Sequence, residues 1–294
     1  VRTSQSTRRK RSVREAVVPV RTPYRLDLTA VILRRLSTNV VDVFDGTAYR
    51  RLLGDPRAPV LLSVEQIAPD TLSVRLDGPG ADELDPAAIV RRALGTGVEL
   101  TAFYAGAARV PWLDAIAAGA RGVKPPRYPS LWETVCNAVV YQQVSIHAAT
   151  AILRRVIERY AAPVEAGGVR LFPFPAPRTL LDADPLELRG LGLSVHKINA
   201  LKAVGAAIED GELDEAALEP LDTQALLEAL VAHKGVGPWT AAIIALRGFG
   251  RLDVFPMNDS GANAGLRKLS GDPTTVAEPI VELLRPQQGM LYYH

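Results

Sequence analysis

The stretch His233-Lys234-Gly235-Val236-Gly237-Pro238-Trp239-Thr240-Ala241-Ala242 constrains this chain more than any other. Two glycines flank one valine, and a proline stands where a helix would begin. Glycine permits positive φ and close approach of a ligand to the backbone. Proline suits the first helical position, where its missing N–H loses nothing. The free N–H groups and the dipole at such a helix end favour an anion such as a phosphate. The hydroxyl of Thr240 is expected to add a contact to the same phosphate. A plain helix–turn–helix connection also uses a bare Gly-x-Gly. The amphipathic run Leu226-Leu227-Glu228-Ala229-Leu230 before it, and the apolar run behind it, narrow the context towards a phosphate grip.

Beyond that apolar run comes Asp253-Val254-Phe255-Pro256-Met257-Asn258-Asp259. Asp259 reads first as the N-cap of a helix over Ser260-Gly261-Ala262-Asn263-Ala264-Gly265-Leu266-Arg267-Lys268. Capping also keeps a carboxylate ionised. An ionised carboxylate stabilises a sugar that becomes cationic as its bond to a base breaks, or it orients a water. Asp253 reads as a loop cap.

Composition sets the outer limits. The chain has 294 residues, 48% of them hydrophobic and 22% charged, which is the balance of a globular protein of one large or two smaller domains. No apolar run reaches the ~18 residues of a membrane span. A net charge of +2 does not by itself mark a nucleic-acid binder, because a basic face matters more than the sum. Cys136 is the single cysteine, so intramolecular disulfides and multi-cysteine metal or iron–sulfur sites are excluded. The four histidines show no metal-ligand spacing.

Along the chain the character changes near Pro125. Residues 1–22, with Arg8-Arg9-Lys10-Arg11, read as a basic disordered tail or a non-specific DNA-binding arm. Residues 23–124 read as a mixed α+β domain. Val60–Ile67 and Thr71–Leu76 form a hairpin about Ala68-Pro69-Asp70, Asn39–Phe44 is a further strand, and Asp85-Pro86 opens a helix. Residues 125–294 read as helices. One is capped by Ser130, others span about Ile146–Tyr160, Pro185–Leu191, Val195–Ile208 and Thr223–Ala232, and Phe172–Pro177 is a linker. The fold class is therefore α+β, a small antiparallel-sheet N-terminal domain followed by an all-α domain. A helix starting shortly before His294 leaves room for further residues beyond it.

These segments, with Cys136-Asn137-Ala138-Val139-Val140-Tyr141-Gln142-Gln143-Val144-Ser145 and Leu191-Gly192-Leu193-Ser194 plus Lys197, resemble the helix-hairpin-helix DNA glycosylase superfamily. The mixed first domain is similar to its AlkA-type 3-methyladenine branch, and the resemblance runs from about Tyr24 to the end. It implies base flipping, since the bond to be cut is unreachable in a stacked duplex. Asp259 is then the catalytic carboxylate. Gly235, Gly237 and Thr240 grip the DNA backbone, and Gln143 wedges into the gap left by the flipped nucleotide. Trp239, Tyr141 and Ile243 belong to the base pocket, with Trp239 open to a second reading as core packing. Main-chain carbonyls of Val231, His233 and Val236 hold a monovalent cation, sodium or potassium, and no other cofactor is required. The implied partner is damaged double-stranded DNA, met by a cytoplasmic monomer (nucleoid-associated if bacterial) that has no business with a membrane.

Two departures from the family's pattern refine this. Bifunctional relatives carry a nucleophilic lysine where Trp239 stands, so a monofunctional enzyme using water is expected. The pocket positions that are often aromatic read Ile243 and Ser260 here, and the tryptophan-rich C-terminal segment reads Leu284-Arg285-Pro286-Gln287-Gln288-Gly289, with Tyr292 and Tyr293 beyond. A thin aromatic lining keeps open a glycosylase for oxidised or deaminated bases beside one for alkylated purines. A non-catalytic DNA-binding protein of the same fold is the third reading.

Overall fold

The computed structural model describes residues 10–294. Its first layer is a five-stranded antiparallel sheet of order β1-β5-β4-β3-β2, from Arg11–Pro19 (β1), Val43–Phe44 (β2), Ala48–Leu53 (β3), Val60–Ala68 (β4) and Thr71–Pro79 (β5). Alternation explains its inner face. Val60, Leu62 and Val64 of β4 and Leu72, Val74 and Leu76 of β5 all point into one core. Helices Leu26–Arg34 (α1) and Pro86–Leu94 (α2) cover that face. Asp85 caps α2 by accepting from the Ala87 N–H at 3.0 Å.

The expected tail over 1–22 needs correction. Arg11–Pro19 pairs along its whole length with β5, and Val18 and Val20 are buried. Cross-strand charge pairs hold it: Arg11 reaches Asp77 at 2.9 Å, and Arg75 reaches Glu15. Charges that read as a solvated tail are the outer face of an edge strand. Arg8 and Arg9 lie outside the described residues. The strand expected at 39–44 shrinks to Val43–Phe44, because the Asn39 side chain accepts from the N–H of Val41 and Asp42 and turns the chain.

Helices Thr101–Ala107 (α3) and Pro111–Gly119 (α4) follow, then Leu131–Tyr141 (α5) and Ile146–Tyr160 (α6). After the hairpin Val164–Ala166 (β6) and Val169–Leu171 (β7) come Pro177–Asp182 (α7), Pro185–Gly190 (α8), Val195–Glu209 (α9), Glu215–Leu218 (α10) and Thr223–Val231 (α11). Pro238–Arg247 (α12), Ser260–Ser270 (α13), Ala277–Leu283 (α14) and a 3-10 turn over Gln288–Tyr293 complete the chain. The region after 125 is thus not wholly helical: β6 and β7 form a small sheet turned by Gly167 and Gly168 at φ 59° and 75°. Nor is Phe172–Pro177 a loose linker. Phe172 is buried, and the Pro175 carbonyl accepts from the Trp132 indole at 2.9 Å.

Helix α5 is the axis of the helical core, buried from Leu131 to Val140 and packed by α6, α9 and α12. A third core joins α3 and α4 to α14 and the C-terminal turn. A division at residue 124 therefore cuts across the packing, since α3 and α4 bury their apolar faces against the end of the chain. No helix among the described residues is long and apolar enough to cross a membrane.

The sheet meets the helical core through buried charge. Arg51 on β3 donates to Asp42 at 2.8 Å and to Glu133 in the first turn of α5 at 2.7 Å, while Tyr49 donates to Asp42 at 2.6 Å. Removing one member leaves a buried charge unmatched, so Glu133→Ala is expected to destabilise by about 3–5 kcal/mol in denaturant titration. Lys124 adds a pH-dependent element. Burial, with Arg21 adding, pushes it down to about 8. Its unfolded value is about 10.4. Between the two the unfolded chain holds the proton and the folded chain does not, so stability rises with pH across that window. Lys124→Met should flatten the rise relative to wild type between about pH 7.5 and about pH 10.5.

Candidate active site

The expected site residues converge on one cleft of about 1750 Å³. Its walls come from the α5–α6 loop, the α11–α12 hairpin, the start of α13, the C-terminal turn and, from the first domain, the end of α1. Asp259, Trp239, Tyr141, Ile243, Gln143, Thr240, Gly235, Gly237, Val231, His233 and Val236 all line it.

Asp259 does two things at once. Its Oδ1 accepts from the Ala262 N–H at 2.8 Å, so it caps α13 as its sequence position suggests. Its Oδ2 accepts from the Trp239 indole N–H at 3.0 Å. Two fixed N–H donors orient the carboxylate across the cleft. Trp239 is therefore an orienting partner of Asp259 as well as a wall residue. Asp253 offers only its main-chain carbonyl, which accepts from Gln288 at 2.5 Å.

The two hairpin glycines have different causes. Gly235 sits at φ 93°, and a Cβ there would lie 2.6 Å from the Cβ of Ala200 on α9. Helix packing and backbone conformation both require it. Gly237 is the N-cap of α12 in extended conformation, exposed, with open space where a Cβ would point. It is the glycine that leaves room for a phosphate at the helix end. The expected hydroxyl contact of Thr240 with that phosphate is corrected. Thr240 is buried, and its Oγ1 accepts from Gln142 at 2.7 Å. The hydroxyl latches the α5–α6 loop to α12 instead.

Gln143, next in that loop, is exposed at φ 54°, a left-handed conformation uncommon outside glycine. Lys197 also acts on this loop from below: its buried Nζ donates to the Val140 carbonyl at 2.8 Å, near the end of α5, while Ser194 caps α9. In the hairpin, the His233 carbonyl accepts from the Val236 N–H at 3.1 Å, and no loop N–H is directed at the carbonyls of Val231 or Val236.

Several residues of the cleft were not visible as candidates. Arg35, just past the end of α1, lays its guanidinium 4.1 Å above the Tyr141 ring, whose hydroxyl bonds Thr150 at 2.8 Å. Burial pushes the Tyr141 hydroxyl upward against the pull of Arg35. Arg247 lies deeper, buried between the rings of Tyr128 and Tyr293 at 5.0 and 5.1 Å. Its spacing from Trp239 and Ile243 in steps of four was the available signal. Trp112 of α4 and Tyr292 also line the cleft, so its aromatic lining is fuller than motif positions alone suggest. The two glycines give a stability contrast. Gly235→Ala is expected to cost about 2–4 kcal/mol from strain and overlap, and Gly237→Ala less than about 1 kcal/mol, read from denaturant midpoints.

Known proteins share the fold around this cleft. The family model described as HhH-GPD superfamily base excision DNA repair protein matches residues 136–285. A Mycobacterium tuberculosis protein named probable bifunctional transcriptional activator/DNA repair enzyme AlkA is 33% identical over 86% of this chain and 50% of its own length. The chain thus spans about half the length of that relative. A 3-methyladenine DNA-glycosylase from Archaeoglobus fulgidus shares the fold, with TM-score 0.76 and 21% identity over 95% of this chain and 96% of that one. A Schizosaccharomyces pombe 3-methyladenine DNA glycosylase in complex with abasic DNA superposes with TM-score 0.52 and 26% identity, over 62% of this chain and 88% of that one. With the hairpin, the capped aspartate and the second half of α5 inside the matched region, this chain belongs to the HhH-GPD superfamily of base excision DNA repair proteins.

Proposed function

We propose that this chain is a monofunctional DNA glycosylase that flips a damaged base, an alkylated purine, from duplex DNA and hydrolyses its N-glycosidic bond. The observation that carries the reading is the doubly held Asp259 beside an open cleft, one helix away from a phosphate-ready hairpin. The relatives named as 3-methyladenine glycosylases and as a DNA repair enzyme support the same reading.

The chemistry follows from the geometry. Gly237 and the free N–H groups of the first turn of α12 hold a backbone phosphate. Gln143, already in its strained turn, fills the gap in the stack. The flipped nucleotide brings its sugar towards Asp259. As the bond between C1′ and the base nitrogen breaks, its electron pair leaves with the base and positive charge builds on the sugar. The Asp259 carboxylate stabilises that charge, water adds to C1′, and the water's proton passes to the carboxylate or to solvent. An abasic site remains. The three hairpin carbonyls of Val231, His233 and Val236 are hard oxygen donors with capacity to spare. A sodium or potassium ion held there would add positive charge beside the phosphate.

Trp239 stands where a lyase would need an amine, so strand cleavage is not part of the reaction. Asp259→Asn keeps the cap, since asparagine caps as well as aspartate. Base release from duplexes carrying one damaged base should fall about 10²–10³-fold while binding of abasic duplex persists. Equal release by Asp259→Asn and wild type, or a borohydride-trapped protein–DNA adduct with wild type, contradicts the mechanism. Trp239→Phe keeps the wall and removes the indole donor. It is expected to slow release about tenfold with little change in KM, measured in multiple-turnover assays.

A further inference from the structure

The charge of this cleft is unlike what its presumed cargo would suggest. Among its lining residues Asp259 is the single carboxylate, while Arg35, Arg247 and Lys234 are all cationic. Lys234 is exposed at the rim of the hairpin. The two arginines are inside, and neither pairs with a carboxylate among the described residues. Arg247 is 1% exposed, its Nε and Nη2 have no hydrogen-bond partner among the described residues, and its guanidinium lies over the rings of Tyr128 and Tyr293. Buried guanidinium groups are ordinarily matched by an acid.

Arg35 is the more exposed of the two. It follows α1 at φ 55° and ψ −63°, a conformation that L residues avoid, fixed by its N–H bonding the Val31 carbonyl at 2.7 Å. Its guanidinium covers the Tyr141 face on which a flipped base would otherwise stack. Tyr292 lines the same cleft as Arg35, Arg247 and Asp259. Arg35 comes from the first domain, outside the family match over residues 136–285.

Resting on the glycosylase reading, we propose that Arg35, in a cleft that also holds the buried Arg247, is a specificity-determining residue that selects neutral damaged purines over cationic ones. A purine methylated at N3 or N7 is a cation while attached to the sugar, and it leaves as a neutral molecule. A fixed guanidinium stacked beside it raises the energy of the bound state and gives nothing to the leaving group. A neutral purine adduct, such as an etheno-bridged adenine, or a deaminated purine behaves oppositely. When its C1′–N9 bond breaks, both electrons stay on the purine, which departs as an anion and takes a proton from water. A cation at the base face stabilises that developing negative charge, while Asp259 stabilises the positive charge on the sugar. The two charged walls act on opposite ends of the same breaking bond.

The test uses the full chain as wild type, Arg35→Gln and Arg35→Lys under single-turnover conditions. Substrates are duplexes with a single 1,N6-ethenoadenine or hypoxanthine, and dimethyl-sulfate-treated duplex from which released 3-methyladenine and 7-methylguanine are quantified. Arg35→Gln removes charge and keeps a planar group; it should slow release of the neutral bases about tenfold or more and leave the cationic bases unchanged or faster. Arg35→Lys keeps charge without the plane and should retain most of the preference. Thermal melting of each variant reports on folding, and a merely structural role would lower all four releases by one common factor. A neutral-to-cationic ratio that does not move in Arg35→Gln overturns the proposal. Wild type releasing no base from any duplex overturns the glycosylase reading and this proposal with it. Wild type that releases only cationic bases, with Arg35→Gln slowing them, overturns this proposal alone.

Discussion

The Arg51–Asp42–Glu133 cluster is the constraint on which the remaining geometry depends. A guanidinium from β3 and a carboxylate from α5 meet where both are almost fully buried, and Tyr49 adds a second donor to Asp42. Burying such charges is expensive and repays little net stability against a well-packed apolar alternative. What it supplies is position, because apolar surfaces slide at little cost whereas a charge pair at 2.7 Å does not. Glu133 lies two turns before Tyr141 on α5, and Arg51 lies on β3, which packs against α1, the helix that ends just before Arg35. The contact of Arg35 with Tyr141 is the far side of this same junction.

Much of the site was legible because its signals are local. Ser130, Ser145, Asp222 and Asp259 each cap the helix expected to follow them, and capping depends on a few neighbouring residues. The hairpin glycines and the aspartate could be placed for the same reason. Thr240 was misjudged because spacing gives no burial: its hydroxyl faces Gln142, a partner 98 positions earlier. Strand β1 was hidden because its outward residues are charged, and an edge strand with charged outer residues has the composition of a tail. Arg35, Trp112 and Tyr292 reach the cleft only through packing between distant segments, and no window of sequence contains that fact.

The two glycines of the hairpin illustrate why a motif is a poor guide to cause. Both belong to one signature, yet one answers to Ala200 and the other to open space at a helix end. A signature can therefore persist in a protein that binds DNA and performs no chemistry. Asp259 separates the cases, because capping needs only Oδ1. The second oxygen, turned to Trp239 at the cleft, is beyond what a helix start requires.

Helix α12 connects these parts mechanically. In the proposed mechanism Gly237 at its start meets the phosphate; Trp239, two residues on, bonds Asp259, and Thr240 holds Gln142 beside the strained Gln143. Ile243 and Arg247 continue the same stripe to the floor of the cleft. A ten-residue helix thus sets the proposed grip, wedge, carboxylate and deep cation in one frame. Flipping a nucleotide costs a few kcal/mol of lost stacking. That energy can be returned only if the phosphate contact and the wedge engage together. Because Trp239 bonds the carboxylate into the same frame, the proposed mechanism has a nucleotide flipped by this grip arrive with its sugar already facing Asp259. Binding and chemistry are then selected by one geometry, and a lesion that weakens stacking favours both at once.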